Sequence, residues 1–209
     1  MQTSRSALNL AFCISHVALC IASAAALSGC RESSPASAAP PAAPGAWVPF
    51  AAEFRSVSGG SETRGRAFRR RDGSFRKETL DVVGVPAFIT IENRATKRFY
   101  SFSAGGWTAQ PWPRTPPPPP GRDRYPNAAP LADRVAGLRV VRWDTGIGVM
   151  TLRAPELDYF PLVEEHPYPP LRIRYVSVTR ADQPDALFEP PAGSRIDEMP
   201  WPYEGAFER

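Results

Sequence analysis

Three arginines around one turn, Arg69, Arg71 and Arg76, are the strongest candidates for binding chemistry in this sequence. They flank Asp72-Gly73, which lies between two extended runs, 62–71 and 74–80. Asp-Gly in that setting predicts a type I′ hairpin turn, because that turn needs positive φ at both central residues. A two-residue turn pairs Arg71 with Ser74, Arg70 with Phe75 and Arg69 with Arg76. One face then carries Arg69, Arg71 and Arg76, relieved by Glu78. The other carries Phe68 and Phe75 among Arg66, Arg70 and Lys77. Like charges directly opposite are unfavourable, so Arg69 across from Arg76 marks a candidate anion site. The alternative is an edge hairpin guarded by charge against aggregation.

Reactive groups are otherwise sparse. A metal site needs clustered Cys, His, Asp or Glu. His166 beside Glu164 and Glu165 is the densest such group, and the prolines around it read as a solvated loop. Glu156 and Asp158 have the types of an acid–base pair, but carboxylates two apart on a strand share one solvated face. No Gly-x-Ser-x-Gly and no phosphate-cradling Gly loop occurs. The expectation is no catalytic residue, no metal, no cofactor and no enzymatic activity.

The N-terminus carries the most specific motif. Arg5 is the only charge before Cys30, residues 7–27 are mostly apolar, and Leu27-Ser28-Gly29-Cys30 follows. A positive end, an apolar centre and small residues before a cut are the parts of a secretory signal. The four residues resemble the lipobox of bacterial lipoproteins, which implies cleavage before Cys30 and acylation of that cysteine. An uncleaved membrane span is the alternative, since the run approaches the ~20 residues a span needs. Cleavage removes Cys13, Cys20 and His16. Of 209 residues less the first 29, 180 remain, with Cys30 lipidated and no thiol left for a disulfide. The charge becomes 24 Lys+Arg against 21 Asp+Glu, or +3. Only Lys77 and Lys97 are lysines; with abundant Ala and Pro this reads as genome composition, and no nucleic-acid partner is expected. The expected partner is the membrane, through lipid on Cys30. Arg31 is not the Asp that retains some lipoproteins at the inner membrane, so the expected place is the outer membrane, facing the periplasm. Phosphates of headgroups and lipopolysaccharide would be the anions available to the arginines.

Three regions follow from composition: a signal at 1–29, a Pro/Ala/Ser-rich tether at 30–45, and a domain at 46–209 with a Pro-rich loop at 110–130. The tether has too little apolar surface to offset its ordering entropy. Within the domain, strand-length runs rich in aromatic and β-branched residues alternate with Gly, Asn and Asp turns, which predicts an antiparallel meander. Runs fall at 46–57, 62–71, 74–80, 86–92, 96–103, 138–144, 147–153, 159–165 and 171–179. Residues 131–136 are the one helix candidate, and residues 198–209 read as a loosely held tail. The expected core includes Phe54, Phe88, Ile89, Ile91, Phe99, Phe102, Val140, Trp143, Leu152, Ile173, Tyr175 and Val178.

Three stretches carry a further resemblance: Arg70 to Arg76 with Phe88-Ile89-Thr90-Ile91 and Arg98-Phe99-Tyr100; Val141-Arg142-Trp143-Asp144-Thr145-Gly146-Ile147-Gly148; and Asp185-Ala186-Leu187-Phe188-Glu189-Pro190-Pro191-Ala192-Gly193. In this order they resemble the superfamily of the outer-membrane lipoprotein carrier and its receptor (LolA/LolB-like). The resemblance implies a mainly β fold: a single curved antiparallel sheet, or half-open β-barrel, with little helix, whose concave side holds acyl chains. The carriers cover that side with helices, which this sequence lacks. The expected function is therefore a non-enzymatic envelope lipoprotein binding an apolar ligand, a lipid or a lipoprotein acyl chain. The alternative is a structural or protein-interaction module that fills the concave side with its own Trp, Phe and Arg and binds a partner at its rim. The sequence leaves the oligomeric state open.

Overall fold

A computed structural model describes residues 46–112, 124–125 and 127–200. Leu27, Ser28, Gly29 and Cys30, the tether, the run 116–120, Trp201 and Phe207 lie outside the described residues. The strands are β1 Phe50–Ser58, β2 Ser61–Arg69, β3 Phe75–Leu80, β4 Pro86–Asn93, β5 Arg98–Ser103, β6 Gly106–Pro111, β7 Ala129–Val135, β8 Leu138–Asp144, β9 Met150–Ala154, β10 Phe160–His166, β11 Leu171–Thr179 and β12 Ile196–Glu198. They form one curved, unclosed sheet in the order β12-β6-β5-β4-β3-β2-β1-β11-β10-β9-β8-β7. Two meanders, β1–β6 and β7–β11, meet where β1 pairs with β11. Every pairing is antiparallel except that of β12 with β6. The expected mainly β fold is observed, and helix among the described residues is limited to 3-10 turns, at Arg124, Pro155–Leu157 and Asp185–Phe188.

The sheet curls tightly. Phe75 on β3 and Phe160 on β10 are four strand steps apart, about 19 Å in a flat sheet. Their ring centroids are 5.8 Å apart. The face carrying them is therefore concave. Bulges supply part of the bend. At one, Glu53 pairs with Ser177 and Phe54 with Tyr175, leaving Val176 as the extra residue. The bulge explains a phase change along β11: Ile173 and Tyr175 are buried, Val176 and Ser177 are both exposed, and Val178 returns to the core.

Two cores lie on opposite faces. The concave core gathers Phe50, Phe54, Ile173 and Tyr175, and Val140, Leu157, Leu162 and Val163 are buried in the same cluster. The second core, on the convex face of β4–β6, gathers Ile89, Ile91, Tyr100, Trp107 and Ala109 under Phe188. Gly65 marks the tightest strand contact: a Cβ there would lie 2.2 Å from Phe54 Cζ and 2.3 Å from the Glu78 carbonyl oxygen.

The hairpin departs from expectation. Gly73 N–H donates to Arg70 O (2.9 Å) and Arg70 N–H to Ser74 O (2.9 Å), so the loop holds three residues, 71–73. Asp72 accepts from Ser74 N–H at 2.8 Å and from its hydroxyl at 2.9 Å, and Gly73 has φ +82°. This is the three-residue hairpin ending in a left-handed glycine. Arg69 pairs with Phe75 and Phe68 with Arg76. A one-residue slip sends side chains to opposite faces, so Arg69 is concave and Arg76 convex rather than cross-strand partners. The hairpin is also not at an edge, since β2 and β3 are interior strands.

Three other expectations change. Of residues 131–136, the first five belong to β7, an edge strand whose pairing with β8 outweighs a weak helical preference, and Ala136 lies in the turn that follows. Phe88 is 45% exposed: Ile89 and Ile91 take the convex core, and strand alternation puts Phe88 on the other face. Within the stretch expected to be a tail, Glu198 ends β12, paired with β6. Of the remaining expected core, Phe54, Ile89, Ile91, Val140, Ile173 and Tyr175 are buried, and Phe99, Phe102, Trp143, Leu152 and Val178 are half-buried.

Candidate functional site

Each expected anion-site arginine has a carboxylate partner in the fold. Arg69 is 3% exposed. It donates from Nε to Val48 O and from Nη2 to Leu157 O and Asp158 Oδ2, all at 2.9 Å. Its guanidinium lies 5.0 Å from the Trp47 ring and 4.8 Å from the Phe50 ring. Burial lowers its pKa to about 10, against the pull of Asp158. Arg71 sits in the loop and grips Asp182 through two bonds of 2.6 and 3.0 Å. Arg76 donates to Glu78 Oε1 (2.7 Å) and Leu187 O (2.9 Å). The three thus do different work. Arg69 fixes the domain's first residues and the 155–159 turn, while Arg71 and Arg76 hold the segment 182–188 onto the convex face.

The candidate reactive groups also separate. His166 Nε2 is 3.7 Å from Glu164, while Glu165 pairs with Arg172. Glu156 pairs with Arg139 and Asp158 with Arg69. Among the described residues, no group of three or more His, Cys, Asp or Glu comes together.

The concave face is occupied by its own side chains. Phe160 packs on Phe50 (4.7 Å), Tyr175 (5.0 Å) and Phe75 (5.8 Å), and Tyr175 on Phe54 (5.5 Å). Lys77 Nζ lies 4.9 Å from the Phe54 ring centroid; burial lowers its pKa, and nearby Glu164 opposes the shift. Burial raises the pKa of Tyr175. Further along, Tyr125 packs on Trp143 (5.0 Å) and Tyr159 (5.2 Å), and Arg153 donates to Tyr125 Oη at 3.1 Å. Trp112 stacks on Phe99 at 5.9 Å. These contacts spend the named aromatic side chains, with Arg153, on internal packing.

The most exposed of the large apolar side chains gather at one rim. In the observed register, the turns β1–β2, β3–β4, β5–β6, β8–β9 and β10–β11 all lie at the same end of the sheet. The chain enters β1 from the other end. Val82, Val83 and Val85 on the β3–β4 turn, Ile147 on β8–β9 and Tyr168 on β10–β11 are all exposed, Val82 completely. The valine turn is preorganised: Asp81 accepts from Val83 N–H (3.0 Å) and Val85 N–H (2.8 Å), and its own N–H donates to Val85 O (2.8 Å). A groove of about 730 Å³ runs beside it, bordered by Glu62, Arg64, Leu80 and Asp81. Sequence pattern offered one signal for this rim, namely three valines in a segment too short and too Asp/Gly-bounded to be a strand.

No protein-family profile matches this sequence, and no curated protein does. Solved structures do. An uncharacterised conserved protein from Thermus thermophilus is similar at 12% identity and TM-score 0.50, over 73% of this chain and 91% of that one. The Pseudomonas aeruginosa MucA/MucB complex is similar at 13% identity and TM-score 0.45, over 70% of this chain and 57% of that one. MucB alone is similar at 14% identity and TM-score 0.41, over 71% and 59%. The likeness is one of fold alone.

Proposed function

We propose that this chain is a non-enzymatic cell-envelope lipoprotein, held by lipid on Cys30 at the outer membrane facing the periplasm, that binds a protein partner through the rim of Val82, Val83, Val85, Ile147 and Tyr168. The carrying observation is the division of apolar surface. The concave face that would hold an acyl chain is filled by Phe50, Phe54, Phe75, Phe160 and Tyr175, while the rim presents apolar tips on a hydrogen-bonded turn. Exposed apolar clusters on soluble domains mark interaction sites, and a rigid turn costs little to order on binding. A protein fits better than an anionic membrane surface. Three rim cations are paired, Arg55 with Glu62, Arg142 with Asp144 and Arg172 with Glu165, and beside Arg64 the groove carries Glu62 and exposed Asp81. The MucA/MucB complex offers a parallel in which a similar fold meets a protein.

Site-specific photo-crosslinking in cells tests the rim. Probes at Val83, Ile147 and Tyr168 should give one protein adduct of a common mass, absent from a probe at Arg195 and lost on Val82→Asp. Adducts of the same intensity at Arg195, or lipid adducts only, would remove the proposal. The anchor has a separate test. Cys30→Ala should leave an unacylated chain in the soluble fraction, because acyl burial contributes about 0.8 kcal/mol per CH₂ and two or more chains are needed for stable anchoring. A variant that stays acyl-labelled and membrane-bound would reject it.

A further inference from the structure

The convex face carries a row of three arginines of which the fold pairs only one with a carboxylate. Arg55 on β1 pairs in register with Arg64 on β2 and with Arg174 on β11. All three are exposed, and they alternate along their strands with buried Phe54, Gly65, Ile173 and Tyr175, so they point away from the concave core. Directly opposite Cβ atoms are about 4.5–5.5 Å apart, where like charges destabilise a sheet. Protection of an edge cannot explain the row, because β2, β1 and β11 lie in the middle of the strand order. Neighbouring arginines have their carboxylates, Arg66 with Glu78 and Arg172 with Glu165. Arg55 reaches Glu62 only at 3.5 Å, with both side chains about half exposed. Among the described residues, Arg64 and Arg174 make no ion pair or side-chain hydrogen bond. Arg55 and Arg64 line a groove of about 300 Å³, with Leu80 and Val176 along its wall and Glu53 and Arg66 at its border, and Arg174 flanks it in register with Arg55.

We propose that Arg64, Arg55 and Arg174 bind a phosphate-bearing ligand with at least two negative charges, of the diphosphate or phosphomonoester class. A guanidinium donates a planar fork that matches phosphate oxygens. Adjacent guanidiniums in this row can share one such group, which offsets the repulsion between them. An extended acidic peptide fits less well, since its same-side carboxylates repeat every ~6.8 Å, two strand residues, against the ~5 Å spacing of the row. The site adjoins the rim, since Arg64 and Leu80 also border the rim groove, but it uses none of Val82, Val83, Val85, Ile147 and Tyr168. The ligand's source is either the surface of a phosphorylated lipid or a soluble phosphate compound.

Calorimetric titration of the full chain in mild detergent with inorganic pyrophosphate at low salt tests the site. Saturable binding is expected, weakened about tenfold or more in Arg64→Thr/Arg174→Thr, as the loss of one or two charged hydrogen bonds implies. It should be unchanged in Arg195→Thr and should fall with ionic strength. The thermal midpoint of the double variant should match or exceed that of the unaltered chain, because repulsion is relieved. Flotation of the Cys30→Ala chain with phosphatidylcholine vesicles carrying phosphatidic acid separates the sources. Row-dependent flotation points to lipid, and pyrophosphate binding without flotation points to a soluble ligand. The proposal fails if neither probe binds, if Arg195→Thr loses as much affinity, if a polyglutamate peptide binds the row while pyrophosphate does not, or if the double variant is clearly less stable.

Discussion

Arg69→Ala should cost the domain about 3–5 kcal/mol, the range for breaking a buried ion pair by removing one partner. Three acceptors lose their donor at once, Val48 O, Leu157 O and Asp158. Asp158 keeps a bond from Val48 N–H at 2.7 Å, but its charge is left largely uncompensated beside the aromatic cluster. The guanidinium also fills the space between Trp47, Phe50 and Phe160. Arg69→Lys should recover only part of the loss, because one ammonium cannot reach acceptors placed around a planar fork. Urea unfolding of both variants reads this directly. A loss below about 1 kcal/mol, the scale of an exposed pair, would show that Arg69 is not the latch described here.

Phe188→Ala should cost a comparable amount, about 3–5 kcal/mol for a fully buried aromatic, and its effect should be local. Phe188 has no exposed surface. It caps the second core, and Arg70 stacks 5.3 Å from its ring centroid. The backbone on either side is held by Asn93 Nδ2 to Phe188 O (2.9 Å) and Arg76 Nη1 to Leu187 O (2.9 Å). Without the ring, the convex faces of β4–β6 lose their cover. Hydrogen exchange should then show lost protection in β12 and along 185–188, with β8–β11 little changed. Uniform loss across both meanders would instead mean that the two cores unfold as one unit.

The hairpin shows where local reading stops. Asp72-Gly73 correctly marks a turn, but both a two-residue and a three-residue loop accept that dipeptide. The choice was made by the Asp72–Ser74 bonds and by Trp47 and Arg94 closing on Gly73, where a Cβ would lie 2.5 Å from Trp47 Nε1. That single residue of register decided which arginines share a face. Phe188 was visible as part of a motif, yet nothing local said that it would seal a core nearly a hundred residues away from β4.

The character of most strands was legible in the sequence because alternation, β-branched content and Gly/Asn/Asp turns act over a few residues; β7 and β12, held by their pairing with β8 and β6, were not. β11 is the clearest case, with Leu171, Ile173 and Tyr175 in phase, while its bulge at Val176 came only with the pairing to β1. The N-terminal motif is likewise a property of consecutive residues. Tertiary structure alone decided that β1 pairs with β11 in the middle of the sheet, which brings Arg64, Arg55 and Arg174 into one row. It also decided that Phe75 and Phe160 meet across the curl and fill the concave face, and that five separate turns share one rim. Each of these depends on pairing between segments distant in sequence, and on curvature summed over many strands, which no short window of residues encodes.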